Sequence, residues 1–384
     1  MNNLVIVAAA RTPIGRLNGS LASLPAHALG AVVLSAVASR AGVPPAEVSD
    51  VILGQVLTAG AGQNPARQAA LDAGFPVETT AAGVNQVCGS GLRSIAMGCQ
   101  ALRCGDAEVV IAGGQESMSS APHCVHLRTG TKFGDASLRD TMVHDGLWDH
   151  RLDCHMGTTA ENVARQWQVS RAQQKTAAAQ RENRFADEIV PVVVKGSKAS
   201  TTVALDECIR PDTTLPALSQ LKPVFAREDG TVTAGNSSGL SDGAAAVMLM
   251  TETEAKRRGC RPLARIAGWA MAGVEPRLMG IGPAPATKKL LARAGWKLDD
   301  VDLIEANEAF AAQSCAVRRE LGWDPARVNV HGGALALGHP IGASGARIVV
   351  TLLHAMAQRD TRRGIATLCI GGGMGIAMAF ERID

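Results

Sequence analysis

The sequence contains an internal repeat in which matching segments stand about 253 residues apart. The segment SRAGVPPAEVSDVILG at 39–54 matches ARAGWKLDDVDLIEA at 292–306, and SGLR at 90–93 matches SGAR at 344–347. Apolar, strand-like runs follow the second pair of segments, EVVIAGG in the first half and ATLCIGGG in the second. Several matches in the same order at nearly one offset predict two similar α/β halves.

The pattern between these segments predicts the fold class and the domains. Near-continuous apolar strands separated by helices are typical of parallel sheets covered by helices on both faces. One half is predicted to comprise residues 1–118 together with 241–263, and the other half residues 264–384. Residues 119–240 break the pattern with prolines, glycines and polar residues. They are predicted to form an inserted, loop-rich domain that covers the first half.

The composition sets the broad class of the protein. The chain has 384 residues, of which 46% are apolar and 19% charged, so it can bury a large core and two or three domains are expected. No apolar run reaches the roughly 18 residues that a membrane-spanning helix needs. The formal net charge of +3 and the dispersed basic residues provide no surface for nucleic acid or for a membrane.

Cysteine usage predicts the cellular compartment. The nine cysteines are an odd number and include no C-x-x-C pair, which argues against a disulfide scaffold and a structural zinc site. The first residues, MNNLVIVAAARTPIG, lack the charged region and the cleavage site of a signal peptide. A reducing, cytoplasmic location and no bound metal are therefore expected.

The stretch VNQVCGSGLRS at 84–94 places Cys88 at the end of an apolar run and just before a predicted helix. Unpaired N–H groups and the positive end of the helix dipole favour a thiolate there, which predicts a pKa below the ~8.5 of free cysteine. Cys88 is therefore a candidate nucleophile. The alternative is a small buried hydrophobic residue, the usual role of a cysteine that lacks catalytic partners.

Candidate partners of this thiol lie in the second half of the chain. His339 follows a glycine in the loop HGGALALGHPIG, whose constrained backbone suits a general base. Cys369 ends a strand-like run and is either a second reactive thiol or a core residue. The glycines that follow it, from Gly371 onward, can bring N–H groups close to a substrate oxygen. Asn307 follows another predicted strand, where it is either a site residue or a helix N-cap.

These residue types predict acyl transfer through a cysteine thioester. A thiolate attacks the acyl carbon, an imidazole takes the thiol proton, and glycine N–H groups bind the oxyanion. A second thiol can then remove a proton alpha to another carbonyl, which permits carbon–carbon bond formation. This chemistry requires no metal.

The sequence closely resembles the thiolases over essentially its whole length, and in particular their bacterial biosynthetic branch. The motifs that carry this resemblance are, in chain order, NQVCGSGLR, GGQESMS, HMGTTAEN, GTVTAGNSSGLSDGAAA, EANEAFA, GGALALGHPIGASGAR and CIGGGMG. The resemblance implies a five-layered αβαβα fold of two duplicated halves with an inserted loop domain. It also implies a homotetramer, assembled as a dimer of dimers, that reversibly condenses two acetyl-CoA to acetoacetyl-CoA and CoA.

The resemblance further implies a role for each candidate residue. Cys88 is expected to be the acylated nucleophile and His339 the base that activates it. Cys369 is expected to take the alpha proton of the second acetyl-CoA and to protonate the departing CoA. His339 and a water held by Asn307 are expected to stabilise the enolate oxygen, while the N–H groups of Cys88 and Gly371 receive the thioester oxygen.

Coenzyme A thioesters are expected as substrate and product, with no further cofactor. The resemblance places CoA along the loop domain, with Arg210 near its phosphates and Met156 closing a short acyl pocket. The segment at 170–191 is about nine residues shorter than is usual in the family, a difference expected to alter CoA affinity or domain packing. The residues expected to contact CoA are His155, Met156, Arg210, Phe225, Ser238, Ala309 and Phe310.

Other functions stay open on the sequence alone. A thiolase that degrades longer 3-ketoacyl-CoA and a catalytically impaired CoA-binding relative share the same motifs. A ketoacyl-synthase-like condensing enzyme is disfavoured, because such enzymes typically have histidine or asparagine in place of Cys369. A nicotinamide dehydrogenase is disfavoured because no G-x-G-x-x-G follows the first predicted strand.

Overall fold

A computed structural model describes residues 3–175, 184–226 and 228–383 of the chain. Part of the segment predicted to be shortened, residues 176–183, lies outside the described residues. The β-strands are β1 (Leu4–Arg11), β2 (Gly15–Arg16), β3 (Asp50–Gly54), β4 (Thr80–Val84), β5 (Val109–Ser117), β6 (His123–Cys124), β7 (Arg139–Asp140), β8 (Trp148–Asp149), β9 (Cys154–His155), β10 (Val192–Lys195), β11 (Ser200–Val203), β12 (Ser241–Thr251), β13 (Ala264–Gly273), β14 (Leu303–Ala306), β15 (Arg363–Ile370) and β16 (Met374–Glu381). The α-helices are α1 (Ala26–Ala41), α2 (Pro65–Asp72), α3 (Ser90–Cys104), α4 (Met156–Gln166), α5 (Leu215–Gln220), α6 (Glu252–Arg258), α7 (Pro283–Ala294), α8 (Ala311–Leu321), α9 (Ala334–Leu337) and α10 (Ser344–Gln358).

The long strands form one path in the order β14-β15-β16-β13-β1-β12-β5-β3-β4. The order β3-β5-β12-β1 of the first half recurs in the second half as β14-β15-β16-β13. In each half the first of these pairings is parallel and the next two are antiparallel. The two sheets join through two residue pairs, Val5 with Arg265 and Ile6 with Ala264. The strand order therefore contains the duplication that the sequence repeat predicts.

The prediction of parallel sheets is wrong for most of this path. Among the described long strands, the parallel pairings are β3 with β4, β3 with β5, and β14 with β15, and the others are antiparallel. The apolar runs gave a wrong prediction of strand direction because helices cover both faces of each sheet. Every residue of β1, for example, is buried. A continuous apolar run therefore indicates that both faces of a strand are buried, but it does not indicate whether the strand is parallel or antiparallel.

Helices and sheets alternate in five layers. Helices α1 and α2 pack on the outer face of the first sheet, in a core that includes Val33 and Leu53. Helices α7 and α8 pack on the outer face of the second sheet, around Leu290 and Val317. Helices α3 and α10 lie between the two sheets and share one core. This is the αβαβα arrangement that the resemblance to thiolases implies.

The two middle helices are the repeated segments that begin with SGLR and SGAR. Each is 15 residues long, and they cross at Gly91 and Gly345. A Cβ atom on Gly345 would lie 2.3 Å from the backbone nitrogen of Leu92, so this contact requires glycine. Both helices begin at this contact. Cys88 and His339, which precede α3 and α10 by a few residues, are therefore brought to the same end of the middle layer.

The insertion between β5 and β12 is anchored to the first sheet by a buried arginine. The guanidinium of Arg11, at the end of β1, is fully buried and pairs with the carboxylates of Glu188 and Asp206. The contact with Asp206 is bidentate, with N–O distances of 2.6 and 2.9 Å. Because an unpaired buried charge is costly, these ion pairs hold the insertion in one position on the sheet.

The predicted domain limits, 1–118 with 241–263, 119–240 and 264–384, stay a prediction. Short strands and helices fill the described part of the middle region, and the long strands lie before and after it. In the ranges that the structure describes, no helix is both long enough and apolar enough to cross a membrane.

Candidate active site

A cleft of about 240 Å³ lies where the loops before α3 and α10, the end of β15 and the insertion meet. Nine of the twelve predicted site residues line it: Cys88, His155, Met156, Phe225, Ser238, Ala309, Phe310, His339 and Gly371.

Cys88 lies on a strained turn between β4 and α3. Val87, the residue before it, has a φ of 46°, which is rare for a β-branched side chain and costs about 1–3 kcal/mol. Hydrogen bonds hold the turn: the Gln86 N–H donates to Ser90 Oγ at 2.8 Å, and Ser90 Oγ donates to the Val87 carbonyl at 2.7 Å. The turn therefore presents the Cys88 side chain to the cleft immediately before the first helical turn.

The predicted lowering of the Cys88 pKa is wrong for the protein alone. Part of Cys88 is exposed in the cleft, but the surrounding protein desolvates the sulfur, and burial raises the pKa of the thiol to about 11. The N–H groups of Gly371 and of Cys88 itself act in the opposite direction, and the charge of Glu116 adds to the rise. Desolvation outweighs the helix dipole because full burial shifts a pKa by several units, whereas a dipole contributes ~0.3–2 kcal/mol.

His339 is almost completely buried and lines the same cleft as Cys88, although it belongs to the second half of the chain. Its Nδ1 lies 2.6 Å from Ser344 Oγ, and the amide nitrogen of Asn307 lies 3.5 Å from both ring nitrogens. Burial lowers the pKa of the imidazole to about 3, and the charge of Arg347 adds to this effect. His339 is therefore neutral at pH 7 and able to accept a proton.

Cys369 lies next to Cys88 but does not line the cleft wall. It is fully buried near the end of β15, where it pairs with Gly375 of β16. Burial raises the pKa of its thiol, and the negative charge of an ionised Cys88 raises it further. The two thiols are therefore close enough to influence each other electrostatically.

The alternative reading of Asn307 as a helix N-cap is wrong. Helix α8 begins at Ala311, and Phe310 occupies its N-cap position. Asn307 directly follows β14, and its N–H donates to the Thr367 carbonyl at 3.0 Å. Its side-chain Oδ1 is buried without a hydrogen-bond partner among the described residues. The amide therefore offers a free acceptor beside the His339 ring.

Gly371 brings a backbone N–H to Cys88 because the turn after β15 is made of glycines. Gly372 and Gly373 have φ values of 81° and 84°, which residues other than glycine rarely adopt. A Cβ atom on Gly371 would lie 3.3 Å from a methyl group of Val87. Gly371 therefore packs directly against the strained turn, with its N–H directed at the Cys88 sulfur.

Aromatic rings form one wall of the cleft. His155 is the N-cap of α4, and its Nδ1 accepts a hydrogen bond from the Gly157 N–H at 3.0 Å. The imidazole stacks on Phe225 at a centroid distance of 4.8 Å, and Phe310 contacts Phe225 edge-on at 6.4 Å. Burial lowers the pKa of His155. This largely apolar wall suits an uncharged part of a ligand.

Of the remaining residues expected to contact CoA, Ser238 and Met156 line the cleft and Arg210 does not. Ser238 donates two hydrogen bonds to the Ala309 carbonyl, from its N–H and its hydroxyl, both at 3.0 Å. Met156 opens α4 at the cleft. Arg210 is exposed and is not among the lining residues, so its expected contact with CoA phosphates stays a prediction.

Sequence reasoning missed several residues that shape this site. Ser344 touches His339, and Glu116 accepts hydrogen bonds from the N–H groups of Val56, Leu57 and Gly342. The repeat itself carried the signal for Ser344, because SGLR and SGAR place serines at equivalent positions. Glu116 lies in the GGQESMS motif at the end of an apolar run, where a charged residue is unusual. Burial raises the pKa of Glu116 to about 7, although its three hydrogen bonds act in the opposite direction.

Comparison with known proteins agrees with this geometry. Residues 4–253 match the family described as "Thiolase, N-terminal domain", and residues 260–382 match "Thiolase, C-terminal domain". The chain belongs to the thiolase family. Among the relatives of this thiolase, the acetyl-CoA acetyltransferases of Shinella zoogloeoides and Paracoccus denitrificans are each 60% identical to it. The alignments cover 99% of both chains for the first and 100% of both chains for the second.

Solved structures of thiolases share the same fold. The crystal structure of the Bacillus anthracis acetyl-CoA acetyltransferase is 44% identical and superimposes with a TM-score of 0.97 over 100% of this chain and 99% of the other. The crystal structure of human mitochondrial 3-ketoacyl-CoA thiolase is 43% identical, with a TM-score of 0.95 and the same coverage. Among the residues that the structure describes, no group of three or more His, Cys, Asp or Glu is arranged to hold a metal ion.

Proposed function

We propose that this thiolase is an acetyl-CoA C-acetyltransferase, which reversibly condenses two acetyl-CoA to acetoacetyl-CoA and CoA by a ping-pong route. The observation that carries the proposal is the meeting of Cys88, His339 and Gly371 in one cleft, with Cys369 beside Cys88. The names of the most similar relatives support the same activity. Coenzyme A thioesters are the proposed substrate and product, and no cofactor is proposed.

The first half-reaction acylates Cys88. The thiol proton passes to the neutral imidazole of His339 while the sulfur attacks the acetyl carbon of acetyl-CoA. The N–H groups of Cys88 and Gly371 bind the oxyanion that forms. The bond between the acetyl carbon and the CoA sulfur then breaks, and the departing CoA takes a proton from Cys369. The products are acetyl-Cys88, protonated His339, ionised Cys369 and free CoA.

The second half-reaction forms the carbon–carbon bond. Ionised Cys369 removes the alpha proton of a second acetyl-CoA, and protonated His339 and a water on Asn307 Oδ1 stabilise the enolate oxygen. The enolate carbon attacks acetyl-Cys88 and the thioester bond to Cys88 breaks. The Cys88 sulfur recovers its proton from His339, so both thiols and the imidazole return to their neutral forms.

The lining of the cleft favours a two-carbon acyl group. Thioether and branched apolar side chains of Leu147, Met156 and Met279 line the same cleft as Cys88. A longer acyl chain would have to displace them, and overfilling a packed pocket costs about 1–3 kcal/mol. Thiolysis of longer 3-ketoacyl-CoA and a catalytically impaired, CoA-binding protein are therefore the less favoured alternatives.

Intact-protein mass spectrometry tests this function. Incubation with acetyl-CoA should add about 42 Da, the mass of an acetyl group that replaces hydrogen, and Cys88→Ser should not retain the adduct. An acyl-CoA series from two to ten carbons should give faster adduct formation for acetyl than for decanoyl. No adduct on the wild-type protein would contradict the proposal, and equal rates across the series would favour the long-chain alternative.

A homotetramer, a dimer of dimers, is the proposed assembly. Strand β4 forms a sheet edge with exposed residues, which can pair with another copy. In the insertion, Phe133 is 100% exposed and Leu138 64% exposed, which is unusual for apolar residues unless another surface covers them. Light scattering should give the mass of four chains, and Phe133→Asp with Leu138→Asp should give two. Val193→Asp, at another exposed apolar residue, is the control.

A cytoplasmic location is proposed from the chemistry of the thiols. The mechanism requires Cys88 and Cys369 as free thiols, and these persist in a reducing compartment. All nine cysteines are unpaired in the structure.

A further inference from the structure

We propose that the serine that opens each middle helix positions the catalytic residue of its own half. Ser344 holds His339 in the tautomer that accepts a proton, and Ser90 holds the turn that presents Cys88. This inference rests on the proposed function, because it assigns the two serines to the acylation step.

Ser344 contacts the imidazole of His339 without lining the cleft itself. It is the first residue of α10 and is 1% exposed. Its hydroxyl oxygen lies 2.6 Å from His339 Nδ1 and 2.9 Å from the Pro340 carbonyl oxygen. The hydroxyl therefore bridges the imidazole and the backbone of the loop that carries it.

The chemistry of the groups around Nδ1 decides the direction of this bridge. The nearby amide nitrogen of Asn307 is a donor and cannot accept a proton from Nδ1. The hydroxyl can accept from Nδ1–H and donate to the Pro340 carbonyl at the same time. We therefore infer that the Nδ1 of neutral His339 carries the proton. Nε2, which lies 3.5 Å from the same amide nitrogen, then carries no proton and keeps the electron pair that a general base requires.

Ser90 plays the matching part in the first half. It is the first residue of α3 and is fully buried. Its hydroxyl accepts from the Gln86 N–H at 2.8 Å and donates to the Val87 carbonyl at 2.7 Å. These two bonds span the residue with the unfavourable φ of 46° and so keep Cys88 on the tight turn. A strained backbone persists only where surrounding contacts hold it.

The duplication explains why one residue type performs both tasks. Ser90 and Ser344 stand 254 residues apart at equivalent positions of the two middle helices. In both halves the hydroxyl binds the loop that immediately precedes its helix, and that loop carries a catalytic side chain. The same kind of contact between helix start and loop thus orients a thiol in one half and an imidazole in the other.

Single-turnover acylation with acetyl-CoA separates these roles. Ser344→Ala should lower the acylation rate constant at least about 10-fold, as part of the ~10²–10⁴-fold that a positioned general base supplies. Its rate should also begin to rise with pH, because thiolate formation no longer depends on a correctly oriented imidazole. Ser90→Ala should lower the rate but keep the wild-type pH profile, because His339 is undisturbed. Neither variant should change the dissociation constant of CoA.

Ser94→Ala is the matched control, because Ser94 is equally buried in α3 but bonds to the carbonyls of Gly91 and Gly113, away from both loops. Its acylation should match that of the wild type. Ser344→Thr, which keeps the hydroxyl, should recover most of the rate lost in Ser344→Ala. Acylation of Ser344→Ala at the wild-type rate and with the wild-type pH profile would overturn the role of Ser344.

Solid-state ¹⁵N NMR of histidine-labelled wild-type protein tests the tautomer without any change in folding. The His339 signals, assigned by their loss in His339→Asn, should show a protonated Nδ1 and an unprotonated Nε2. The opposite tautomer would overturn the inference. This outcome is distinct from failure of the proposed function, because a wild-type protein that forms no acetyl adduct can still show either tautomer.

Discussion

Replacing Cys369 by alanine should leave acetylation of Cys88 intact and lower the rate of condensation about 10²–10⁴-fold, the usual contribution of a positioned acid or base. The two steps separate because condensation requires Cys369 to remove the alpha proton, whereas acylation uses it only to protonate the departing CoA. Acylation needs the Cys88 thiol, the His339 base and the N–H groups at the oxyanion, and none of these belongs to the Cys369 side chain. The departing CoA thiol has an ordinary acidity, so it can leave as a thiolate with little help.

Three measurements test whether acylation and condensation are separated in the Cys369→Ala variant. Intact mass should show the acetyl adduct at a rate close to that of the wild type. Formation of acetoacetyl-CoA from two acetyl-CoA should nearly stop. Deuterium in trideuterated acetyl-CoA should no longer exchange with water, because the group that removes the alpha proton is absent.

Cys99→Ala is the control for loss of a buried thiol. Cys99 is fully buried in α3, burial raises its pKa to about 12, and it does not line the cleft. Its replacement should leave both half-reactions unchanged. If Cys369→Ala failed to acylate while Cys99→Ala acylated normally, the division of labour between the two thiols would be wrong. If Cys369→Ala condensed at the wild-type rate, another group would have to be the alpha-proton base.

The large-scale organisation of this thiolase could be predicted from the sequence because duplication leaves local signals. The serine–glycine starts at Ser90 and Ser344 mark both middle helices at nearly one offset. The glycines at 42 and 295 end equivalent helices in the left-handed conformation, with φ values of 64° and 67°. Strand direction could not be predicted, because helices bury both faces of a strand in either direction.

The meeting of the candidate residues in one cleft could be predicted from the sequence, but their pKa values could not. Cys88, His339 and Gly371 lie in one cleft, as motifs at equivalent strand ends suggest. The pKa of Cys88 depends on how much protein surrounds the sulfur, which arises from segments far apart in the chain. The sequence shows the start of the helix behind Cys88 but not the Met156 and Gly371 side of the cleft. The predicted sign of the shift was therefore wrong.

The contacts around the imidazole show the same limit. Taken by itself in the sequence, Asn307 is interpreted more readily as an N-cap than as a site residue, and only the position of α8 relative to β14 decides between them. The expected contact of Arg210 with CoA stays a prediction, since the structure shows this residue exposed and outside the cleft lining. For Asn307, the position in the folded chain rather than the residue type decides between the two interpretations.

Replacing His339 by asparagine should lower acetylation of Cys88 about 10²–10⁴-fold at pH 7 and should change its dependence on pH. In the wild type, the pKa of about 3 for His339 and of about 11 for Cys88 leave both groups neutral between these values. Proton transfer within the pair then needs no proton from solvent, so the acylation rate constant should be nearly constant from about pH 5 to pH 9. Without the imidazole, attack requires a thiolate formed by loss of the proton to water.

The pH profile of His339→Asn therefore carries the test. A thiol with a pKa of about 11 is ionised to roughly one part in 10⁴ at pH 7, and each pH unit raises that fraction about tenfold. The acylation rate constant of the variant should rise by that factor per unit, so its deficit relative to the wild type should shrink as the pH approaches 9. His354→Asn, at a half-buried histidine whose Nδ1 lies 2.9 Å from the Val350 carbonyl oxygen, should keep the flat profile. A flat profile in His339→Asn at the wild-type rate would show that another group activates Cys88, and the neutral pair would then have no role in acylation.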